Sequence, residues 1–184
     1  MRLSPLQRYE QALEQEGFNK DEQQHHAMSY LDHLYHQLNE NANQKKSMFS
    51  FLKAKPAAPK GLYMWGGVGR GKTWMMDMFY DSLTIDRKMR QHFHHFMQRV
   101  HKELNQIHGE SNPLEKVADI IYAEAVIICF DEFFVSNVSD AMILGDLFTM
   151  LFNRGVTLVA TSNIEPSGLY QDGLHRDRFM PWIA

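Results

Sequence analysis

The 184 residues suit one domain with room for a sizeable core. Apolar residues at 44% and charged residues of both signs at 22% exclude an intrinsically disordered chain, and a formal net charge of −3 argues against a dedicated nucleic-acid binder, which is usually basic. The single cysteine, Cys129, excludes an internal disulfide framework and fits a reducing compartment.

Ser4-Pro5 reads as a capped helix start with Pro in the first turn. Leu6, Tyr9 and Leu13 share one face, and Gly17 ends the helix. No signal or transit peptide is legible there, and no apolar run approaches the roughly 20 residues that cross a bilayer, so a cytoplasmic location is expected. Asp21 opens a second helix to about Glu40, striped by Met28, Leu31, Leu34, Tyr35 and Leu38. Residues 41–60 turn polar and basic and read as a linker. Residues 1–60 are therefore taken as an N-terminal helical segment and linker packing on a core formed by residues 61–184.

Gly61 to Trp65 predicts a strand, and Gly71 to Leu83 a helix. Met89 to Phe96 is a second strand candidate, followed by a helix from Phe96 to Ile107 and another from Asn112-Pro113 to Tyr122. Ala125 to Phe130 is a continuous apolar run of the kind buried on both faces of a parallel sheet. Ser139 to Asn153 predicts a helix with Met142, Ile143, Leu147, Phe148 and Leu151 inward. Val156 to Ala160 is a further buried strand, and an amphipathic piece follows from Ser167. Alternating strands and helices predict a three-layer α/β sandwich with a parallel sheet.

Between the first strand and its helix, Gly66-Gly67-Val68-Gly69-Arg70-Gly71-Lys72-Thr73 matches the phosphate-loop (Walker A) pattern in full. Glycines let successive amides point at a phosphate, and the helix start adds partial positive charge. Lys72 is expected on the β- and γ-phosphates and Thr73 on Mg²⁺. The candidate nucleotide contacts are Gly66, Gly67, Val68, Gly69, Arg70, Gly71, Lys72, Thr73 and Trp74, for ATP or ADP. A dinucleotide loop is excluded, since it would need Gly where Lys72 stands.

Asp131 and Glu132 follow the buried run, as a Walker B pair: Asp131 for the Mg²⁺ shell and Glu132 as general base toward water. Guanine is disfavoured. Phe134 occupies the place of the Gly in D-x-x-G, and Asn19-Lys20-Asp21-Glu22 precedes the loop and fails as N-K-x-D. Asn163, at the end of the last buried strand, is placed to meet a γ-phosphate or the attacking water. Arg176 and Arg178 are either solvated cations or groups that neutralise a neighbouring subunit's phosphoryl charge. His92, His94 and His95 read as packing or partner residues, because a strand would turn His95 away from the other two.

In this order the motifs resemble those of AAA+ ATPases. Pro5-Leu6-x-x-Tyr9, Gly61 to Thr73, His92 to Met97, Phe130 to Phe133, Asp140 to Leu144 and Ala160 to Asn163 resemble the ZapE / AFG-one-like ATPase family over nearly the whole chain. The resemblance implies an ATP hydrolase that acts on a protein partner. In bacterial members that partner is the FtsZ division ring, with peripheral contact to the inner membrane; mitochondrial members serve inner-membrane protein quality control. It further implies a homo-oligomeric ring, with Arg178 before Arg176 as the residue reaching across to a neighbour. A full AAA+ module also has a fifth strand and a helical lid, which this chain lacks, so a truncated core with an unpaired first strand is expected. A helicase-loader-like ATPase acting on nucleic acid, or a nucleotide-gated binding module, would carry many of the same motifs.

Overall fold

A computed structural model of the chain describes residues 3–16, 21–46, 58–107, 109–135, 137–171 and 173. In chain order the elements are α1 (Pro5–Glu16), α2 (Glu22–Lys46), β1 (Leu62–Trp65), α3 (Lys72–Ser82), β2 (Lys88–His92), α4 (Phe93–Gln106), α5 (Pro113–Glu124), β3 (Ile127–Asp131), α6 (Val138–Arg154) and β4 (Thr157–Ser162), then a 3-10 turn at Pro166–Gly168. The four strands are all parallel in the order β1-β4-β3-β2. Among the described residues β1 is an edge, paired only with β4.

Alternation along β3 builds the layers. All five of its residues are buried. Ile127 and Cys129 join Tyr9, Met28 and Leu31 of α1 and α2 and Met75, Met76 and Phe79 of α3 in one core. Ile128 and Phe130 face the other way, onto Phe93, Phe96, Val117, Ile121, Leu144 and Phe148 of α4, α5 and α6. A strand covered on both faces has no polar side to present, which is why the sequence there is continuously apolar. Gly61 leads into β1 where the backbones nearly touch: an added Cβ would meet the Leu158 carbonyl oxygen of β4 at 1.8 Å.

Three boundaries differ most from the sequence expectation. α2 runs to Lys46 rather than Glu40. The sequence offers no large apolar residue of the stripe beyond Leu38, so periodicity cannot report the rest of the helix. The second strand ends at His92, and the helix begins at Phe93 rather than Phe96. Phe93, Phe96, Met97 and Val100 are all buried at helical spacing, so the apparent alternation of His and Phe belongs to a first helical turn. On α6, Met142 is 44% exposed rather than inward. Ala141, Leu144, Gly145, Leu147, Phe148 and Leu151 form the buried face. The small residues Ala141 and Gly145 belong to that face, and a reading weighted toward large side chains misses them. Most of the piece expected from Ser167 onward lies outside the described residues.

Candidate active site

The loop between β1 and α3 turns on Gly66, Gly69 and Gly71, whose φ angles are 144°, 79° and 76°. These values suit glycine and strain other residues. Gly71 is the N-cap of α3 in the left-handed region and receives no side-chain cap. The N-terminus of α3 therefore faces the loop with the positive end of the helix dipole. Val68 and Arg70 stand on the outside of the loop, with Val68 88% exposed.

Lys72 folds back over the loop. Its Nζ donates to the carbonyl oxygens of Gly66 at 2.7 Å and Gly67 at 2.8 Å, and to Asn163 Oδ1 at 2.9 Å. The first residue of α3 is thereby tied to the residue that follows β4. Burial against these groups lowers the Lys72 pKa from its ordinary value. From the other side, Asp21 caps α2 by accepting from the Gln23 and Gln24 amides. Gln24 Nε2 then donates to the Arg70 carbonyl at 3.2 Å. The Trp74 ring meets Tyr9 edge-on at 5.7 Å, so α1 and α2 buttress the loop and the start of its helix.

The tips of β3 and β4 are laced together. Phe133 N donates to the Thr161 carbonyl at 2.7 Å, and Glu132 N to Thr161 Oγ1 at 3.3 Å. Ser162 Oγ donates to the Phe133 carbonyl at 2.8 Å and accepts from Ile164 N at 3.2 Å. Glu132 is held in the left-handed region at φ 53°, with its side chain 79% exposed. His92 Nδ1, at the end of β2, lies 3.8 Å from Glu132 Oε2. Asp131 is buried instead. Its Oδ2 accepts from Arg90 Nε at 3.1 Å and Nη2 at 2.9 Å, while Oδ1 is buried without a hydrogen-bond partner. Arg90 Nη1 also pairs with Asp77 on α3.

The residues singled out in the sequence are therefore placed as follows. Lys72 and Asn163 touch, and Thr73 is exposed at the start of α3. Asp131 is joined through Arg90 to Asp77, one helical turn beyond Thr73. Glu132 projects into solvent beside His92. Arg176 and Arg178 lie outside the described residues. Sequence reasoning missed Arg90, Asp77, Gln24 and Ser162. Asp77 carried a signal, since it lies four residues after Thr73; Arg90 carried a weaker one, as a cation in a strand beside the acid. The three histidines are closer than the strand reading implied. With α4 starting at Phe93, the His94 and His95 rings come to 3.8 Å and those of His92 and His95 to 5.9 Å.

A parallel β1-β4-β3-β2 sheet, a glycine loop between the edge strand and its helix, and an acid at the tip of the buried strand β3, one strand removed from that edge, define a P-loop nucleoside triphosphatase core of the AAA+ type. AMPPCP-bound DnaA from Aquifex aeolicus shares this fold, with a TM-score of 0.61 over 89% of this chain and 45% of that one at 15% identity. The model of the AFG1-like ATPase family matches residues 3–184, and the chain belongs to that family. It is 48% identical over 193 residues to cell division protein ZapE of Escherichia coli K12, covering 98% of this chain and 51% of that protein. To lactation elevated protein 1 homolog B of Danio rerio it is 41% identical over 156 residues, 79% of this chain and 31% of that one. The chain thus spans about half the length of the ZapE proteins it matches.

Proposed function

We propose that this chain carries the site at which a AAA+ ATPase binds Mg²⁺-ATP and hydrolyses it, and that the cycle acts on the FtsZ ring in bacterial cell division. The observation that carries the reading is the Lys72 ammonium. It is shared between two loop carbonyls and Asn163, so one cation spans the phosphate loop and the tip of β4.

A triphosphate seated on the loop amides offers Lys72 oxygens in place of those carbonyls. Asn163 then faces the γ-phosphate from the β4 side. The donor set fits a divalent cation. Asp131 offers a buried oxygen without a partner, and Thr73 an exposed hydroxyl at the start of α3. Mg²⁺, when bound, neutralises charge on the β- and γ-phosphates. Glu132 accepts a proton from the water that attacks the γ-phosphorus, as the bond to the leaving ADP oxygen breaks. Its left-handed backbone, fixed by Thr161 and Ser162, turns the carboxylate out of the sheet toward that water.

The N-terminal helices α1 and α2 pack against this core, a reading supported by Gln24 on Arg70 and Tyr9 on Trp74. The division role is supported by the 48% identity to a cell division protein. A cytoplasmic ATPase at the division site, forming a ring and touching the inner membrane peripherally, completes the proposal. Among the described residues no helix is long and apolar enough to cross a membrane. Two variants of the full chain test the site. Lys72→Ala is expected to weaken binding of a fluorescent ATP analogue at least about tenfold. Glu132→Gln is expected to keep binding while phosphate release falls about 100-fold. Parent-like binding by Lys72→Ala, or parent-like release by Glu132→Gln, rejects the assignment. Cosedimentation with FtsZ polymers that does not depend on ATP would reject the partner reading.

A further inference from the structure

Arg90 belongs to no motif read from the sequence, yet it makes the closest contacts to the buried acid of the site. β2 pairs with β3 so that Arg90 stands beside Cys129 and His92 beside Asp131. Register partners in a sheet share a face, and side chains two residues apart on one strand share it too. Arg90, Cys129 and Asp131 therefore all project toward the α3 layer, where Cys129 is found. There the guanidinium divides its donors. Nε and Nη2 both converge on Asp131 Oδ2, and Nη1 pairs with Asp77.

This is an unusual use of the fork. A guanidinium beside a carboxylate ordinarily places one N–H on each oxygen. Here both donors take the same oxygen, and Oδ1 stays buried with no partner. An unpartnered buried carboxylate oxygen is costly unless a ligand completes it. The other end of Arg90 is anchored to the same helix that carries Thr73. Two carboxylates and one guanidinium also leave the cluster one negative charge in excess before any cation arrives.

We infer that Arg90 is a positioning residue for the divalent cation. It clamps Asp131 through Oδ2 so that Oδ1 remains free for the cation's shell, and Asp77 holds the clamp in register with α3. This rests on the Mg²⁺-ATP reading above. It adds that the cation's affinity depends on a strand residue that touches neither nucleotide nor metal. Lysine cannot substitute, because one ammonium on a flexible stem does not reproduce a planar fork reaching two carboxylates.

The test uses the full chain and measures the affinity of a fluorescent ATP analogue twice, in excess Mg²⁺ and in EDTA. The ratio of the two affinities reports the cation, and the EDTA value alone reports the loop. For Arg90→Met and Arg90→Lys the EDTA affinity is expected to match the parent. The Mg²⁺-dependent gain is expected to shrink about tenfold or more, the scale for partners that orient metal ligands. Asp77→Asn, on a half-exposed side chain, is expected to shrink it by less and in the same direction; it decides the matter if Arg90→Met does not fold. An unchanged or enlarged gain, full rescue by Arg90→Lys, or a parallel fall in EDTA overturns the inference. Absence of binding by the parent in both conditions would instead overturn the Mg²⁺-ATP reading.

Discussion

Two buried serines, identical in chemistry, should respond unequally to alanine. Ser162 at the end of β4 is 3% exposed, and Ser82 at the end of α3 is 0% exposed. Ser82 Oγ donates to the Met78 carbonyl at 2.7 Å, one turn back in its own helix. That carbonyl keeps its helical amide when the hydroxyl is removed, and alanine gains about 0.5 kcal/mol of helix propensity over serine. Ser82→Ala should therefore stay within about 1 kcal/mol of the parent. Ser162 Oγ instead ties the chain after β3 to the turn after β4, alongside the Phe133 N to Thr161 carbonyl bond. It donates to the buried Phe133 carbonyl at 2.8 Å and accepts from Ile164 N at 3.2 Å. Removing it strands a buried carbonyl, at a cost of about 2 kcal/mol. For a chain of this size that corresponds to a fall of roughly 4–8 °C in Tm. Both changes replace one hydroxyl by hydrogen, so the volume removed is the same in the two variants. Urea unfolding followed by circular dichroism gives the two free energies under one set of conditions. If Ser82→Ala proves as costly as Ser162→Ala, burial alone governs the loss and the argument from bonding context is wrong.

Burial pushes the Cys129 thiol from 9.0 up to about 12. The folded state favours the neutral thiol, so its stabilising contribution is whole below pH 9 and fades as pH rises from about 9 toward about 12. At pH 8 a thiol-reactive chromophore should label the native chain only as fast as it unfolds; prompt stoichiometric labelling would contradict this. Lys72, lowered by burial, supplies a second pH dependence. A bound triphosphate stabilises the ammonium, so nucleotide affinity should be level at neutral pH. It should fall as pH rises through the depressed value, before the ordinary 10.5 is reached. Fluorescent-nucleotide titrations between neutrality and that pH check the point, and an affinity flat throughout would remove Lys72 from the phosphate contacts.

Much of this protein is local grammar and was legible. The glycine loop needs particular backbone angles, and Gly66, Gly69 and Gly71 declare them. The buried strand needs apolar residues on both faces, and Ile127 to Phe130 supply them without interruption. Asp131, Glu132 and Asn163 follow strands whose ends any parallel sheet brings to one edge. Elements whose cues depend on what they pack against were read less well. α2 outruns its stripe, α4 starts a turn early, and Met142 gives way to Ala141 and Gly145 in the core.

The sequence by itself determined the order of elements, the loop chemistry and the acids at the strand tips, because each follows from residues adjacent in the chain. Only the tertiary structure decided that Lys72 meets Asn163 across 91 positions, that Arg90 grips Asp131 across 41, and that Ser162 holds Phe133 across 29. Such pairs depend on strand register and helix placement. Those are fixed by the burial of the two apolar layers as a whole and leave no mark at either partner alone.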